Sequence, residues 1–282
     1  MIDPSYYKIY FLSGDATKKM IEIDGINSLN FQKILSYNSE YALGISDNTY
    51  LLNSPQEIQL TFERSIIQND ILLQFTGDKK IDSLYVYNGT QYYQVNNLYM
   101  NSYSANFGIG DLPKVSTSFV SYGGDINQLN ELPKYNNLEI EKYSQYIDIP
   151  SIDSISISGI YDLNLKTKYN VYAFDYQMTI KRQPFYSIGS GLSPIEVSLI
   201  LPLEIKSSIN AKLVRNITNI DINKYDDFTS KNSDFNINVS GTGSSLLSLP
   251  IRRAKLISDS IQISNENTLE IKKDFIGYYG VQ

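Results

Sequence analysis

Residues 59–64 read Gln-Leu-Thr-Phe-Glu-Arg, and residues 177–182 read Gln-Met-Thr-Ile-Lys-Arg. Gln, Thr and Arg are identical in the two stretches, and the apolar positions between them stay apolar. The alternation of apolar and polar residues is typical of a β-strand with one buried and one solvated face. A strand sequence that occurs twice in one chain indicates an internal duplication, which would determine the whole fold.

A second match follows in the same order along the chain. Residues 102–124 align with residues 258–280, and the alignment places Phe119 opposite Phe275. The step from position 59 to 119 is 60 residues, whereas the step from 177 to 275 is 98. The alignment therefore needs about 38 extra residues in the second copy, around 206–243, and a surface loop tolerates an insertion of that length.

The two matches divide the chain into four parts. We predict an N-terminal arm with the first strands (1–55), a first unit (56–124), a connector (125–167) and a second unit (168–282) that carries the insertion. Each unit is expected to be rich in strands with little helix, because Tyr, Phe, Ser and Asn are frequent and charged residues make up only 19%.

Local patterns predict individual elements. The Asn-Gly pair at 88–89 lies between apolar runs, so it predicts a hairpin from about Leu84 to Val95 with a type I′ turn. Further strands are predicted at 71–75, 155–158, 195–201, 235–240 and 260–264. Helices are predicted at only two places, 26–36 and 249–256.

The composition excludes much of ordinary enzymology. The chain contains neither Cys nor His, so it has no disulfide, no thiolate nucleophile, no Ser-His-Asp triad and no histidine metal ligand. A glycosidase with a carboxylate pair stays possible, since that mechanism needs no histidine, but nothing selects a pair from 30 acidic residues. The sequence thus identifies no catalytic, cofactor-binding or metal-binding residue.

The net charge of −6 and the isoelectric point near 4.8 argue against a protein that binds nucleic acid by neutralising phosphates. The N-terminus lacks the pattern of a signal peptide, and no apolar stretch is long enough for a membrane span. We therefore expect a soluble protein made in a cytoplasm, without a membrane segment.

A basic group lies near the C-terminus, at Arg252, Arg253 and Lys255, followed by Lys272 and Lys273. Acidic neighbours at positions 259, 270 and 274 favour local ion pairs. The alternative is contact with an acidic patch on another copy of the chain, for which arginine is well suited.

A duplicated, acidic, strand-rich chain without Cys or His resembles the duplicated major tail tube proteins of long-tailed bacteriophages. The resemblance rests on the two Gln-x-Thr-x-x-Arg strands and on the closing segments 119–124 and 275–280. It implies a non-enzymatic virion protein, assembled in the host cytoplasm, with two tandem units that are each a β-sandwich or partial barrel. Strands of these units would complete a β-barrel between subunits. Its partners would be itself, in a trimeric ring with pseudo-six-fold symmetry that stacks into a tube, other tail proteins, and DNA passing through without tight binding.

On this reading, six residues are candidates for the assembly interface: Arg64, Arg182, Phe119, Phe275, Arg252 and Arg253. If the duplication alignment is right, Arg64 and Arg182 should occupy matching environments.

Two alternatives to a tail tube protein stay open. One is another tail component on the same fold, such as a distal-tail, baseplate or terminator protein. The other is a β-sandwich adhesin or carbohydrate-binding module that uses its tyrosines.

Overall fold

The structure, a computed structural model, is mainly β and contains one short helix among the residues that it describes. The described residues are 8–13, 20–23, 25–35, 37–40, 49–52, 56–66, 70–133, 140–142, 151–158, 169–188, 193–213, 233–241, 244–263 and 269–279.

Nineteen strands follow one another along the chain. The first ten are β1 (Lys8–Ser13), β2 (Met20–Ile23), β3 (Ile26–Ile34), β4 (Tyr37–Glu40), β5 (Thr49–Leu52), β6 (Glu57–Ser65), β7 (Ile81–Tyr87), β8 (Tyr92–Gly108), β9 (Lys114–Tyr122) and β10 (Asn127–Leu129). The other nine are β11 (Ile140–Lys142), β12 (Ile152–Ser158), β13 (Tyr169–Thr179), β14 (Arg182–Phe185), β15 (Glu196–Leu199), β16 (Glu204–Leu213), β17 (Ser233–Gly241), β18 (Ser244–Ile263) and β19 (Leu269–Tyr278).

Fifteen strands form one large sheet, whose main path runs β11-β2-β1-β7-β8-β13-β16-β19-β18-β17-β12. Strands β9, β6 and β3 branch from β8 in that order, and β10 also pairs with β8. All pairs are antiparallel except β11 with β2. Two hairpins, β4–β5 and β14–β15, stand apart from the large sheet. Among the described strands the path does not return to its start, so it forms no closed barrel within one chain.

Two sets of strands are connected in the same way. In the first set, β3 pairs with β6, β6 with β9, β9 with β8, β8 with β7 and β7 with β1. In the second, the same pairings join β13, β16, β19, β18, β17 and β12. The chain order within the sets also agrees, and each set has its separate hairpin at the same point, β4–β5 after β3 and β14–β15 after β13.

The register of these pairings agrees as well. A row of directly paired residues crosses β3, β6, β9 and β8 at Phe31, Leu60, Phe119 and Met100. The row that crosses β13, β16, β19 and β18 contains Tyr176, Ser207, Phe275 and Leu256. A β-bulge follows directly in both, between Met100 and Ser102 and between Leu256 and Ser258. Bulges fix register, so this coincidence is a strong geometric match.

The closing segments that the sequence aligned, 102–124 with 258–280, therefore lie at corresponding places. The hexapeptides do not. Residues 59–64 lie in β6, between β3 and β9, whereas residue 177 lies in β13, between β8 and β16. The residue at the place of Gln177 is Gln32, because Phe31 corresponds to Tyr176 in the matching rows. The hexapeptide alignment was wrong, since three identities in six residues are too few to fix register.

The insertion of about 38 residues depended on that alignment and is not needed when β6 is matched with β16. Of the segment 206–243, the structure describes the ends, which belong to β16 and β17. Residues 214–232 lie outside the described part. The predicted connector 125–167 includes β10, β11 and all of β12. Its residues 134–139, 143–150 and 159–167 also lie outside the described part.

Both predicted helices are strands. In β3, Leu29 and Phe31 turn toward the core while Asn30 and Gln32 are exposed, so the period is two residues rather than 3.6. In the segment 249–256, part of β18, Leu249 and Ile251 are buried and flank Pro250. Pro250 is paired with β17 alone, since pairing with β19 begins at Arg252, and a strand tolerates proline where one edge is open.

Residues 71–75, predicted as a strand, form a short 3-10 helix instead. Asp70 caps it, because its carboxylate accepts a hydrogen bond of 2.8 Å from the backbone N–H of Leu72. The predicted hairpin is confirmed, since Leu84 pairs with Val95. Its turn is not type I′: Gly89 alone has positive φ, and Asn88 Oδ1 accepts from the N–H groups two and three residues on.

One hydrophobic cluster joins the two strand sets. Where β8 meets β13, the rings of Phe107 and Phe174 pack edge to face with centroids 4.8 Å apart. Tyr103 and Tyr176 are fully buried nearby, and burial raises the pKa of both phenols well above the ordinary value of about 10. Partial burial raises the pKa of Tyr122 to about 12.

These tyrosines predict a loss of stability at high pH. A phenol whose pKa is higher in the folded than in the unfolded protein stabilises the fold fully below about pH 10, and this stabilisation is lost as the pH rises toward the folded-state pKa. We expect the urea midpoint to fall between about pH 9 and about pH 11, with tyrosinate absorbance appearing together with unfolding. Free ionisation of all 24 tyrosines before any unfolding would contradict this prediction.

Candidate assembly surface

The junction between the two strand sets lies where the C-terminal half of β8 pairs with β13. Seven consecutive residues, from Ser102 to Gly108, pair with residues 173–179. On the core side the pairs are apolar, for example Tyr103 with Met178, and on the other side they are polar, for example Ser104 with Gln177. This alternation fixes the register, because a slip of one residue would exchange the two faces.

A polar face covers the side of the sheet opposite the core. It consists of the outward side chains of eight strands paired in the order β3, β6, β9, β8, β13, β16, β19 and β18. One row across it contains Asn30, Thr61, Ser118, Ser102 and Thr179. Thr61 Oγ1 and Ser118 Oγ are hydrogen-bonded at 2.9 Å. The face is therefore lined largely by hydroxyl and amide groups.

A depression of about 510 Å³ lies at the centre of the polar face. Asp175, Lys206 and Asp274 are among its lining residues. Burial raises the pKa of Asp175, while the positive charge of Lys272 opposes that shift and Asp274 adds to it. Lys272 Nζ lies 3.7 Å from Asp274 Oδ1. Charges of both signs are interspersed, so the face has no strong field of one sign.

A buried ion pair lies on the core side of the same region. Arg64 Nη2 donates to Asp70 Oδ1, and both side chains are almost completely buried. Tyr103 Oη donates to the second oxygen, Oδ2, at 2.9 Å. The cluster ties β6, the 3-10 helix and β8 together. Buried charges are costly unless paired, so Asp70 compensates for the burial of Arg64.

Arg182 has a different environment. Its Nη2 donates to the carbonyl of Gly77 at 2.6 Å, its Nε to the carbonyl of Met100 at 3.3 Å, and its guanidinium lies 5.5 Å from the ring centroid of Tyr99. Burial lowers the pKa of its guanidinium. The expectation that Arg64 and Arg182 occupy matching environments was therefore wrong, for the reason that the hexapeptides lie on non-corresponding strands.

Of the six predicted interface residues, Arg64, Phe119 and Phe275 are buried inside the chain and offer no surface to a partner. Arg252 and Arg253 are exposed. Arg252 Nη1 lies 3.8 Å from Asp234 Oδ2, and the backbone N–H of Arg253 donates to the same carboxylate at 2.7 Å. Aromatic and arginine side chains are common at interfaces, but the same residue types also fill a core, so composition alone did not distinguish the two.

The predicted local ion pairs are confirmed for Lys272 and Lys273. Lys273 Nζ lies 2.6 Å from Asp259 Oδ2, and Lys272 pairs with Asp274. The partner of Arg252 is instead Asp234, which the sequence did not identify.

An apolar surface that the sequence reasoning missed surrounds the β14–β15 hairpin. Six large side chains in and around it are exposed: Phe185, Tyr186, Ile188, Ile195, Ile200 and Leu201. The run 195–201 was predicted as a buried strand, but β15 pairs with β14 alone. Exposed apolar groups that lie together mark interaction surfaces, so we call this region the apolar hairpin.

Known proteins provide no identification. The sequence matches no protein-family model, and a search of curated proteins finds no significant relative.

Among the described residues, no group of three or more acidic side chains is arranged to hold a metal ion. No helix within the described part is long and apolar enough to cross a membrane.

Replacing Asp70 tests the buried ion pair. In Asp70→Asn the amide oxygen can still cap the helix, but the charge of Arg64 loses its partner, so we expect a loss of about 3 kcal/mol in the free energy of unfolding by urea. The matched control is Asp82→Asn, whose pair with Lys80 at 3.6 Å is partly exposed and should change stability by less than about 0.5 kcal/mol. Equal losses in the two variants would contradict the assignment.

Proposed function

We propose that this chain is a structural, non-enzymatic subunit that assembles head to tail into rings, and that the rings stack into a DNA-conducting tube of a bacteriophage tail. In this proposal the chain consists of two tandem related β units, at 8–122 and 152–278. The observation that carries the proposal is the repeated set of strand pairings, with its repeated bulge, joined through β8 and β13.

Head-to-tail association follows from that junction. Because β8 of the first unit pairs with β13 of the second, the same contact made between chains would add further copies in the same sense. Contacts of this kind generate a ring when the rotation closes. Each chain supplies eight strands to the polar face, so a trimer with pseudo-six-fold symmetry would join 24 strands into one barrel.

The dimensions suit a conduit. With a strand spacing of about 4.8 Å and a tilt of about 40°, a 24-strand barrel has a backbone diameter of roughly 48 Å. Such a barrel is wider than the 16- to 18-stranded barrels that already enclose water. The lumen would be lined by the polar face, which leaves room for a DNA duplex after side chains are added.

The chemistry of the polar face suits a passage better than a binding site. Hydroxyl and amide groups dominate it, and its charged side chains of both signs are interspersed. Its acidic side chains are Glu57, Glu63, Asp175, Glu204, Glu270 and Asp274, and its basic side chains are Lys114, Lys206, Lys212, Arg252, Lys255 and Lys272. Because the two signs balance, the face lacks the concentrated positive charge that binds DNA phosphates, and DNA would pass without tight binding. The place of function would be the virion, after assembly in the host cytoplasm.

The apolar hairpin suits contacts between stacked rings. It lies outside the large sheet and so is free to reach a neighbouring ring without interrupting the barrel. Other tail proteins that end the tube could dock on the same surface. A distal-tail, baseplate or terminator protein would use the same ring but would not form long tubes.

Oligomeric state is the first test. Light scattering after size-exclusion chromatography should give a mass of three chains or a multiple of it, and negative-stain electron microscopy should show rings or tubes with an open centre. A protein that remains monomeric up to high concentration and binds glycans would contradict the proposal and favour an adhesin or carbohydrate-binding module.

A double variant, Ile188→Ser with Ile195→Ser, tests the role of the apolar hairpin. Both side chains are well exposed, so the free energy of unfolding should change by less than about 1 kcal/mol. Rings should persist while tubes shorten in electron micrographs. The matched control is Ile109→Ser, an exposed isoleucine (50%) away from the hairpin, which should leave tube length unchanged. Tubes of normal length in the double variant would refute the stacking role.

A further inference from the structure

Two strand edges at opposite ends of the polar face are open in the described part of the chain. Strand β3 pairs with β6 along one edge only. The C-terminal half of β18, residues 255–263, pairs with β19 along one edge, because pairing with β17 stops at Ala254. Open edges expose backbone donors and acceptors that readily pair with another strand.

The junction inside the chain supplies a template for these edges. In the matching rows, β8 corresponds to β18 at a constant offset, with Met100 at the place of Leu256 and Ser102 at that of Ser258. Strand β13 corresponds to β3, with Tyr176 at the place of Phe31. The segment of β18 that is open is therefore the counterpart of the segment of β8 that β13 covers.

We infer that β3 of one copy pairs antiparallel with the C-terminal half of β18 of the next copy, in the register of the β8–β13 junction. This inference rests on the proposed head-to-tail assembly and identifies its interface. The register is obtained when each residue of the β8–β13 junction is replaced by its counterpart in β18 or β3. Six pairs result: Leu29–Ile263, Phe31–Ile261, Lys33–Asp259, Asn30–Gln262, Gln32–Ser260 and Ile34–Ser258.

The side chains match in this register. On the core side, Phe31 faces Ile261 and Lys33 faces Asp259. On the polar face, Asn30 and Gln32 face Gln262 and Ser260. In these pairs apolar groups meet apolar groups, polar groups meet polar groups, and the single cation meets an anion, whereas Ile34 opposite Ser258 is the exception. Opposite charges and apolar pairs directly across strands stabilise a sheet.

The charged pair fits the local geometry. Asp259 Oδ2 already accepts from the buried Lys273 at 2.6 Å. A carboxylate can accept several hydrogen bonds, so Asp259 can also accept from a second donor. The side chain of Lys33 is partly exposed. Its Nζ lies 3.2 Å from Oδ1 of Asp125, which is exposed on the surface. To pair with Asp259, Lys33 would therefore have to break only an exposed ion pair, which stabilises the fold little.

Exposed apolar residues at both edges support the same contact. In the internal junction, the N–H of Ile180 donates to the carbonyl of Asn101 in the bulge, and Ile180 is buried. The corresponding residues are Leu35 and Ile257, which are 44% and 59% exposed. Assembly in the inferred register would bring Leu35 to Ile257 and cover both.

Cysteine cross-linking tests the register, since the chain has no native cysteine. Protein carrying Gln32→Cys is mixed with protein carrying Ser260→Cys, incubated at a concentration where the unmodified chain assembles, and oxidised. Because each chain has one thiol, a mixed disulfide joins two chains, and mass spectrometry of its peptides identifies it. We expect about half of the protein to be captured as the 32–260 dimer, because about three quarters of randomly mixed three-fold rings contain both variants and each of those has one interface where the two thiols meet.

Two controls fix the interpretation. Gln32→Cys mixed with Gln262→Cys places the thiols on the same face but two residues out of register, and should give at least about tenfold less mixed disulfide, because diagonal neighbours are about 7–8 Å apart. A single chain with Ser104→Cys and Gln177→Cys, the template pair, should form the disulfide internally.

The outcomes separate this inference from the proposed function. Rings without the 32–260 link, or with the 32–262 link favoured, would overturn the edge pairing and leave ring formation intact. The 32–260 link without rings would support the pairing and count against the tube. A chain that stays monomeric by light scattering and gives no mixed disulfide would overturn both.

Discussion

An open strand edge is the constraint on which this structure depends. Every second residue of an edge strand presents its backbone N–H and C=O to the open side, where they must be paired or hydrated. Strand β8 is longer than its neighbour β7, and its C-terminal half would be open if β13 did not cover it. That single pairing makes one continuous sheet and one core from two sets of strands.

The two sets have the same pairings but different chemistry at the corresponding place. Beside the covered edge, Tyr103 is buried and bonds to the Arg64–Asp70 pair. Beside the open edge, the corresponding residue is Asp259, which pairs with Lys273 and keeps its side chain partly exposed. An apolar residue there would favour non-specific aggregation, whereas a carboxylate selects a partner strand that presents a cation in register. In the inferred assembly, the open edge would therefore act as a specific interface between copies of one chain.

The sequence predicted the strand-rich fold and several of its parts correctly, and its failures have physical causes. The Leu84–Val95 hairpin was predictable because its turn residues and its alternation are local signals. The correspondence of Phe119 with Phe275 was predictable because the two closing segments have similar sequences. Which strand lies beside β6 or β13 is decided by pairings between distant residues, and a hexapeptide has no information about them. The helix predicted at 26–36 failed because pairing with β6 outweighs weak local propensity. The polar face and the open edges become visible only when strand order is known.

The most direct measurement is a cryo-electron microscopy reconstruction of the assembled protein at a resolution that separates strands. We predict a three-fold ring whose inner wall is a continuous 24-strand barrel, with β3 of each copy antiparallel to β18 of the next and Phe31 opposite Ile261. The polar face should line the channel. Copies that meet through other surfaces, with β3 and the end of β18 left in solvent, would contradict the inferred edge pairing.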